Sequence, residues 1–457
     1  MIDGYIKFIR RFLPSPFSIA LILTLISFIG VLAFNGLNSG KIDASDTISW
    51  WRAGLWNTNL LVFAMQMMLM LVLGHVLALT PAVERLINLI VSKIDNSANA
   101  AALVSFSALF VGLFNWGLGL IFGAILARKV GELFSKNHKP LNYALIGAAG
   151  YAALMIWHGG ISGSALIKVA ESQNLHAMMG GILNPSQMVD LPDRIGLEAT
   201  VFSTPNVLTS IFILFLVPTA LYITGRISSS SNIQLDSWQQ PQFKPHKDLI
   251  GAEYMDSSAW TTKIAGGGFL IFCVYQMIDS EEFLSFFNPN NINLCLFGLA
   301  LFLHKSILSF LNATDSSISG ASGILIQFPL YFGIMGLFNE SGLVSHLSDL
   351  LISMSSESTF PFFTFLSAGL VNIFVPSGGG QWVIQGPIII KAAMELGVPF
   401  NKAILALAYG DQITNMLQPF WALPLLGITK LSAKDILPYT LIMFLVGFIV
   451  YSVSVLI

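Results

Sequence analysis

Two stretches of this sequence carry polar groups where the flanking residues are apolar: Trp157-His158-Gly159-Gly160-Ile161-Ser162-Gly163-Ser164 and Tyr409-Gly410-Asp411-Gln412-Ile413-Thr414-Asn415-Met416-Leu417-Gln418-Pro419. Glycine and proline interrupt a helix, and an interrupted helix presents free N–H donors at one new end and free carbonyls at the other. Such a break offers an anion and a small cation neighbouring places to bind. Hydroxyl and amide oxygens of Ser162, Ser164, Thr414, Asn415 and Gln418 are hard ligands of the kind Na⁺ takes. Asp411 could hold Na⁺ or a proton, and His158 could carry a proton or donate to a carboxylate. Back-bonding of a lone Ser or Thr to its own helix is the commoner role, so the clustering carries the functional reading.

Two further glycine-rich stretches read as turns, Asn115-Trp116-Gly117-Leu118-Gly119 and Pro376-Ser377-Gly378-Gly379-Gly380-Gln381-Trp382. Both mix glycine with an amide or hydroxyl, allowing a ligand to approach the backbone. Gly378-Gly379-Gly380 is not a phosphate loop, because no Gly-Lys-Ser/Thr follows. The absence of Arg or Lys from all four stretches suits a small monoanion.

These stretches need a membrane to position them. The chain has 457 residues, 54% hydrophobic and 10% charged, with mean hydropathy +0.74, against roughly 25% charged in soluble domains. The net charge of −2 provides no basic field for nucleic acid. Cys273 and Cys295 lie in apolar runs and read as packing residues, neither disulfide framework nor zinc site. No His-Glu-x-x-His and no Ser/His signature is present, so an enzyme is not expected.

A crossing helix needs about 20 apolar residues. The candidates are 17–34, read as a retained span and not a signal peptide, then 58–79, 203–223, 264–279, 291–303, 318–337 and 436–456. Regions 98–127 and 360–390 read as re-entrant hairpins, and 141–170 and 402–428 as helices broken in mid-crossing. With the N-terminus inside, 16 of the 22 Lys and Arg fall on the cytoplasmic side, including Lys7, Arg10, Arg128, Lys129, Lys244 and Lys247, as the positive-inside rule requires. Making 98–127 a full crossing would put the basic stretch Arg128 to Lys139 outside. In this topology Asp411 is the only acid at membrane depth, and His75 and His158 are the only histidines. His75 reads as a packed side chain and Asp411 as a functional candidate.

The halves match at nearly constant offset. Gln66 pairs with Gln327, Leu86 with Leu347 and Ser92 with Ser353. Gly112-Leu113-Phe114-Asn115 pairs with Gly369-Leu370-Val371-Asn372, and the His158–Gly163 break with Asn415–Phe420. Matched elements run in opposite directions, so the expected fold is an all-α polytopic membrane protein of two inverted repeats, the architecture of secondary transporters. The first repeat spans 1–224, a cytoplasmic linker 225–262, and 263–457 holds a connecting helix and the second repeat.

Long runs, Phe374 through Pro387 and Ala408 through Pro424, with Asn115-Trp116-Gly117 and Gly160 to Ser164, resemble the bacterial short-chain fatty acid transporter family over nearly the whole chain. The resemblance implies an ion-transporter-superfamily fold, with a scaffold and a moving elevator-type transport domain, and pairing as homodimers in the bacterial inner membrane. It implies short monocarboxylates such as butyrate or acetoacetate as substrates, symported with Na⁺ or H⁺, with no cofactor and with lipid as the surroundings. Gln381, Asp411 and His158 stand where His, Glu and Gly are expected in relatives. The substrate site is expected at Asn115, Trp116, Gly117, His158, Gly160, Ser162, Gly163, Ser164, Ser377, Gly378, Gly379, Gly380, Gln381, Trp382 and Gln418. Cation coupling is expected at Asn115, Ser162, Ser377, Asp411, Thr414 and Asn415, with Asn115, Ser162, Ser377 and Asn415 as the candidate Na⁺ ligands. The alternatives are a dicarboxylate or other organic-anion carrier of the same superfamily, and a passive anion channel.

Overall fold

The computed structural model describes residues 4–457 except 7, 9, 10, 12, 13, 40–43, 93, 181, 182, 236–250, 280–285 and 287. Lys7, Arg10, Lys41, Lys93, Lys244 and Lys247, and the middle of the expected linker, lie outside the described residues. Among those described, helices account for every regular element, with one isolated bridge between Leu141 and Ser231. Eight helical segments are long and apolar enough to cross a membrane. Their outward faces carry large apolar side chains such as Ile211, Phe215, Ile264, Ile271 and Ile278, which suits contact with lipid.

The chain begins with α1 (Pro16–Ser39), α2 (Ala44–Leu55), α3 (Thr58–Ala78) and the amphipathic α4 (Pro81–Val91). Next come α5 (Ser97–Phe114) and α6 (Trp116–Lys136), which meet at Asn115. The first broken element consists of α7 (Tyr143–Gly150), two 3₁₀ turns (Tyr151–Met155 and Trp157–Gly159) and α8 (Ser164–Lys168). Helix α9 (Thr204–Ile227) ends this half, and α10 (Ala259–Asp279) leads into the next. The second half consists of α11 (Pro289–Leu303), α12 (Ile307–Ile318), α13 (Ser322–Glu340), α14 (Leu343–Ser353), α15 (Phe360–Phe374) and α16 (Gly378–Leu396). A second broken element follows, α17 (Phe400–Thr414), a 3₁₀ turn (Asn415–Leu417) and α18 (Pro419–Thr429), before α19 (Ala433–Leu456). The order of the main helices α1 to α9 thus recurs in α11 to α19, while the short helices Asn174–Met179 and Pro185–Val189 of the first half have no counterpart.

Contacts follow the same exchange. Helix α2 packs on α13 as α12 packs on α3, and α1 packs on α13 as α11 packs on α3. The short half-helix after each break packs on the other half's helical pair, α18 on α6 and α8 on α16.

Helices α5 and α6 form a tight antiparallel hairpin. A Cβ at Gly119 would lie 2.8 Å from Gly112 Cα, and one at Gly123 would lie 2.9 Å from Ala108 Cβ and 2.2 Å from the Gly150 carbonyl oxygen of α7. Small residues let these backbones touch, the usual device where no hydrophobic drive pulls helices together in lipid.

Two sequence expectations need correction. Arg128 and Lys129 are not in a basic loop. They belong to α6 and are buried, with Arg128 Nε 2.9 Å and Lys129 Nζ 3.1 Å from the two oxygens of Glu132, and Lys129 3.8 Å from Glu84. Glutamate at i+3 and i+4 pairs these charges and lets the helix continue. Gly378 to Trp382 do not form the second turn but the first helical turn of α16, because Ser377 caps it by accepting the Gly380 N–H at 3.2 Å; the turn is Val375–Ser377. Besides Asp411, His75 and His158, the side chains of Glu132 and His304 are also buried, His304 with Nε2 3.1 Å from the Val76 carbonyl oxygen.

Gly123→Val should cost about 1–3 kcal/mol by overpacking, read as loss of monodisperse protein or a lower Tm in detergent. Gly268→Val, with nothing within 4 Å of its Cβ position, should leave both unchanged.

Candidate functional site

The two breaks and the two helical pairs converge. In the first break, Gly160 has extended backbone, and a Cβ there would lie 2.1 Å from the Leu113 carbonyl oxygen. Ile161 N–H donates to that oxygen at 2.9 Å, while Ser162 Oγ accepts the Trp116 N–H at 3.0 Å. Asn115 caps α6 by accepting the Leu118 N–H at 2.9 Å. The tip of the first hairpin is thereby tied to the break in its own half. Gly117 lies against Met70, and Gly163 against the His158 carbonyl.

The second break is tied in the same manner by a residue outside the expected set. Asn372, near the end of α15, donates to Thr414 Oγ1 at 2.9 Å, to Asn415 Oδ1 at 3.0 Å and to the Asp411 carbonyl at 2.6 Å. Gln418 Nε2 donates back to the Asn372 carbonyl at 2.7 Å.

The breaks also bind each other. Tyr151 hydroxyl donates to the carbonyls of Asn415 and Gln418 at 2.8 and 3.2 Å, and the His158 N–H donates to Gln412 Oε1 at 3.0 Å. At the junction His158 Nε2 lies 3.0 Å from Asp411 Oδ2, with the side chains 0% and 1% exposed. Ser164 N–H donates to His158 Nδ1 at 3.3 Å, so the proton of a neutral ring sits on Nε2, facing the carboxylate. The two atoms are close but not aligned as a directed hydrogen bond, and neither has another partner. Gly378 covers the ring from the second hairpin. A Cβ at that position would lie 2.7 Å from His158 Cε1 and 2.8 Å from both Nε2 and Ser164 Oγ.

Of the expected residues, His158, Ser164, Gly378 and Asp411 meet directly, and Thr414, Asn415 and Gln418 meet through Asn372. Asn115, Trp116, Gly160 and Ser162 form the knot at the first hairpin. The four candidate Na⁺ ligands Asn115, Ser162, Ser377 and Asn415 each already accept a hydrogen bond as a cap or brace. Gln381 bridges within its own hairpin, donating to the Ala368 carbonyl at 2.8 Å and to Gln385 Oε1 at 2.7 Å. Trp382 is buried one residue further along α16, and Gly379 faces open space.

Several participants were not singled out from sequence. Tyr151 looks like one more aromatic in an apolar run. Asn372 was visible only as the repeat partner of Asn115. Asn206 looks like a helix-start residue, yet its Nδ2 donates to the Gly159 carbonyl at 2.8 Å and its Oδ1 accepts the Tyr409 hydroxyl at 3.0 Å.

Buried atoms around the breaks that lack partners fall into two chemical kinds. Asn372 Oδ1, Gln381 Oε1, Gln418 Oε1 and Asp411 Oδ2 are acceptors, whereas the indole N–H groups of Trp157 and Trp421 and the amide of Gln412 are donors. Acceptors without donors suit a cation, and donors without acceptors an anion.

A family model described as "Short chain fatty acid transporter" matches residues 1–457. The chain belongs to the short chain fatty acid transporter family. A Haemophilus influenzae protein provisionally named a short-chain fatty acid transporter is 34% identical over 440 residues, which cover 94% of this chain and 93% of its own. An Escherichia coli protein with the same provisional name is 32% identical over 455 residues, covering 98% of this chain and 97% of its own. Among solved structures, the YdaH transporter of Alcanivorax borkumensis superposes with a TM-score of 0.43 at 16% identity, covering 96% of this chain and 98% of its own. MtrF of Neisseria gonorrhoeae, from a class of antimetabolite efflux pumps, gives a TM-score of 0.41 at 14% identity, covering 98% of this chain and 96% of its own. Membership of the short chain fatty acid transporter family makes this chain a membrane transporter and not an enzyme.

Its site geometry makes opposite demands on adjacent glycines. Gly378→Ala should lower Tm, because the methyl would enter the His158 ring. Gly379→Ala, with free space and better helix propensity, should leave Tm unchanged or raise it.

Proposed function

We infer that this protein is a secondary symporter that moves short-chain monocarboxylates, of the size of butyrate or acetoacetate, together with Na⁺ or H⁺. The observation that carries this reading is the sealed contact of His158 with Asp411, where both breaks meet under the tip of the second hairpin. An ionisable pair without solvent is costly, and in a transporter such a pair marks an ion path. Asp411 Oδ2 and the unpartnered amide oxygens of Asn372, Gln381 and Gln418 supply the cation's side of the site, as sodium ligands or as an environment that favours a protonated carboxyl. The absence of Arg and Lys from the breaks favours a monoanion over a dicarboxylate.

The recurring element order and reciprocal packing support two inverted repeats, 1–224 and 263–457, with the hairpins entering from opposite faces. Lys129 and Lys391 each stand 14 residues after the cap of their helix, Asn115 and Ser377. That is about 21 Å along a helix, beyond the roughly 15 Å from bilayer centre to headgroups, so tips at the midplane place both lysines at an interface, one cytoplasmic and one external. The charge distribution supports a cytoplasmic N-terminus and a cytoplasmic linker over 225–262, and the inner-membrane location rests on the family resemblance. The knots at Ser162 and Asn372 hold each hairpin to its break, as an elevator-type motion of that unit against α3 and α13 requires. Pairing of two copies rests on the resemblance alone.

Purified protein in proteoliposomes should accumulate butyrate under a Na⁺ or a proton gradient, each varied independently, with succinate competing poorly. No flux under either gradient contradicts the reading, and non-saturable flux without accumulation indicates a channel. Asp411→Asn should impair accumulation driven by whichever gradient serves the unaltered protein; unchanged cation dependence would remove Asp411 from coupling.

A further inference from the structure

Beside the buried pair, with Trp157 3.7 Å from His158 between ring centroids, lies a cluster of aromatic rings that the cation's side of the site does not use. Trp116, at the first hairpin tip, has its ring centroid 5.8 Å from Trp157 in the first break and 5.3 Å from Trp421 in α18. Phe63 of α3 lies 6.0 Å from both Trp116 and Trp421 and 6.2 Å from Phe328 of α13. The rings therefore come from both breaks, from one hairpin and from the two long helices that those parts pack against. Trp157, Trp421 and Phe328 are buried, while Phe63 and Trp116 are half-buried, so the cluster is least closed on the side of these last two.

Packing alone does not explain the composition. A buried indole normally finds an acceptor for its N–H, and leaving one without is costly. Trp157 and Trp421 both have buried N–H groups with no acceptor, and so does the amide of Gln412, whose oxygen takes the neighbouring His158 N–H. Phenylalanine at either indole position would fill similar space with no such cost. Three unspent donors beside apolar rings, with no cation among them, match an amphiphile with one weakly basic anionic end and a short hydrocarbon end.

The geometry points to this cluster as the substrate-recognition box. The indole N–H groups of Trp157 and Trp421, with the Gln412 amide, receive the carboxylate, and Phe63, Trp116 and Phe328 enclose the alkyl chain and limit its length. The assignment rests on the monocarboxylate reading above and deepens it. It divides the site by sign, with the anion on the donors near the rings and the cation on the acceptors near Asp411, so that His158 stands between them. Loading the cation together with the carboxylate adds no net charge to the pocket before it moves, which is the condition for carrying a charged solute across hydrocarbon. An aliphatic limit set by aromatic side chains also predicts discrimination by chain length, with each methylene worth a factor set by its burial.

The test uses full-length protein in proteoliposomes with radiolabelled straight-chain acids from acetate to octanoate. Trp421→Phe and Trp157→Phe keep a ring and remove the N–H, and at least one should raise the KM for butyrate by about tenfold, the effect of losing one hydrogen bond to a charged group. Phe63→Ala should shift the preferred acid toward hexanoate or octanoate. Unchanged KM in both tryptophan variants, or a fall in maximal rate alone, overturns the carboxylate assignment. An unchanged chain-length profile in Phe63→Ala overturns the box. If the unaltered protein takes up acids and the variants match it, this assignment alone fails. If the unaltered protein moves none of them, the monocarboxylate reading fails and this assignment fails with it.

Discussion

An imidazole and a carboxylate lie 3.0 Å apart where neither meets solvent, and both helix breaks serve to place them. His158 belongs to a 3₁₀ turn that could not form inside an unbroken helix, and Asp411 lies in the last turns of α17 before the second break. A buried carboxylate left without a partner is costly, so everything that fixes their separation is under constraint. Ser164 fixes the imidazole tautomer, Gln412 holds the His158 backbone, Asn372 holds the Asp411 carbonyl, and Gly378 closes over the ring. These fixings come from both halves of the chain, so neither half contains the site by itself.

The surrounding packing is built to let backbones meet. Gly123 touches Gly150, Gly160 touches Leu113 and Gly54 touches Phe332, each at a separation that a side chain would prevent. In lipid, such close contacts together with interhelical hydrogen bonds hold helices together. The free backbone groups created by the breaks are satisfied by side chains of neighbouring elements; at the second break Tyr151 donates to the carbonyls of Asn415 and Gln418, and Asn372 to that of Asp411. Non-helical backbone at membrane depth survives only where protein covers it in this way.

Much of this was legible in the sequence, and the exceptions share a physical cause. The long spans, the turn at Asn115 and both breaks follow from apolar length and from Gly, Pro and amide residues, which act locally. The start of α16 at Gly378 was not legible, because three glycines in a row normally oppose a helix. A Ser377 cap and the bridge from Gln381 to Ala368 override that propensity. The helical, buried state of Arg128 and Lys129 depends on Glu132, and charge counting alone treats all three as loop. The short helices α2, α4, α12 and α14 are too brief or too polar to register as spans. The pairing of breaks suggested where polar groups gather. It could not specify that His158 faces Asp411, nor that Trp116 touches both Trp157 and Trp421, because these are contacts between distant parts of the chain.

The account stands on His158 and Asp411 acting as one unit. A double-mutant cycle on transport, with His158→Gln, Asp411→Asn and the two combined, tests this most directly. The prediction is that the combined variant transports no worse than the poorer single variant. Losses that multiply, as for two independent sites, would contradict the account.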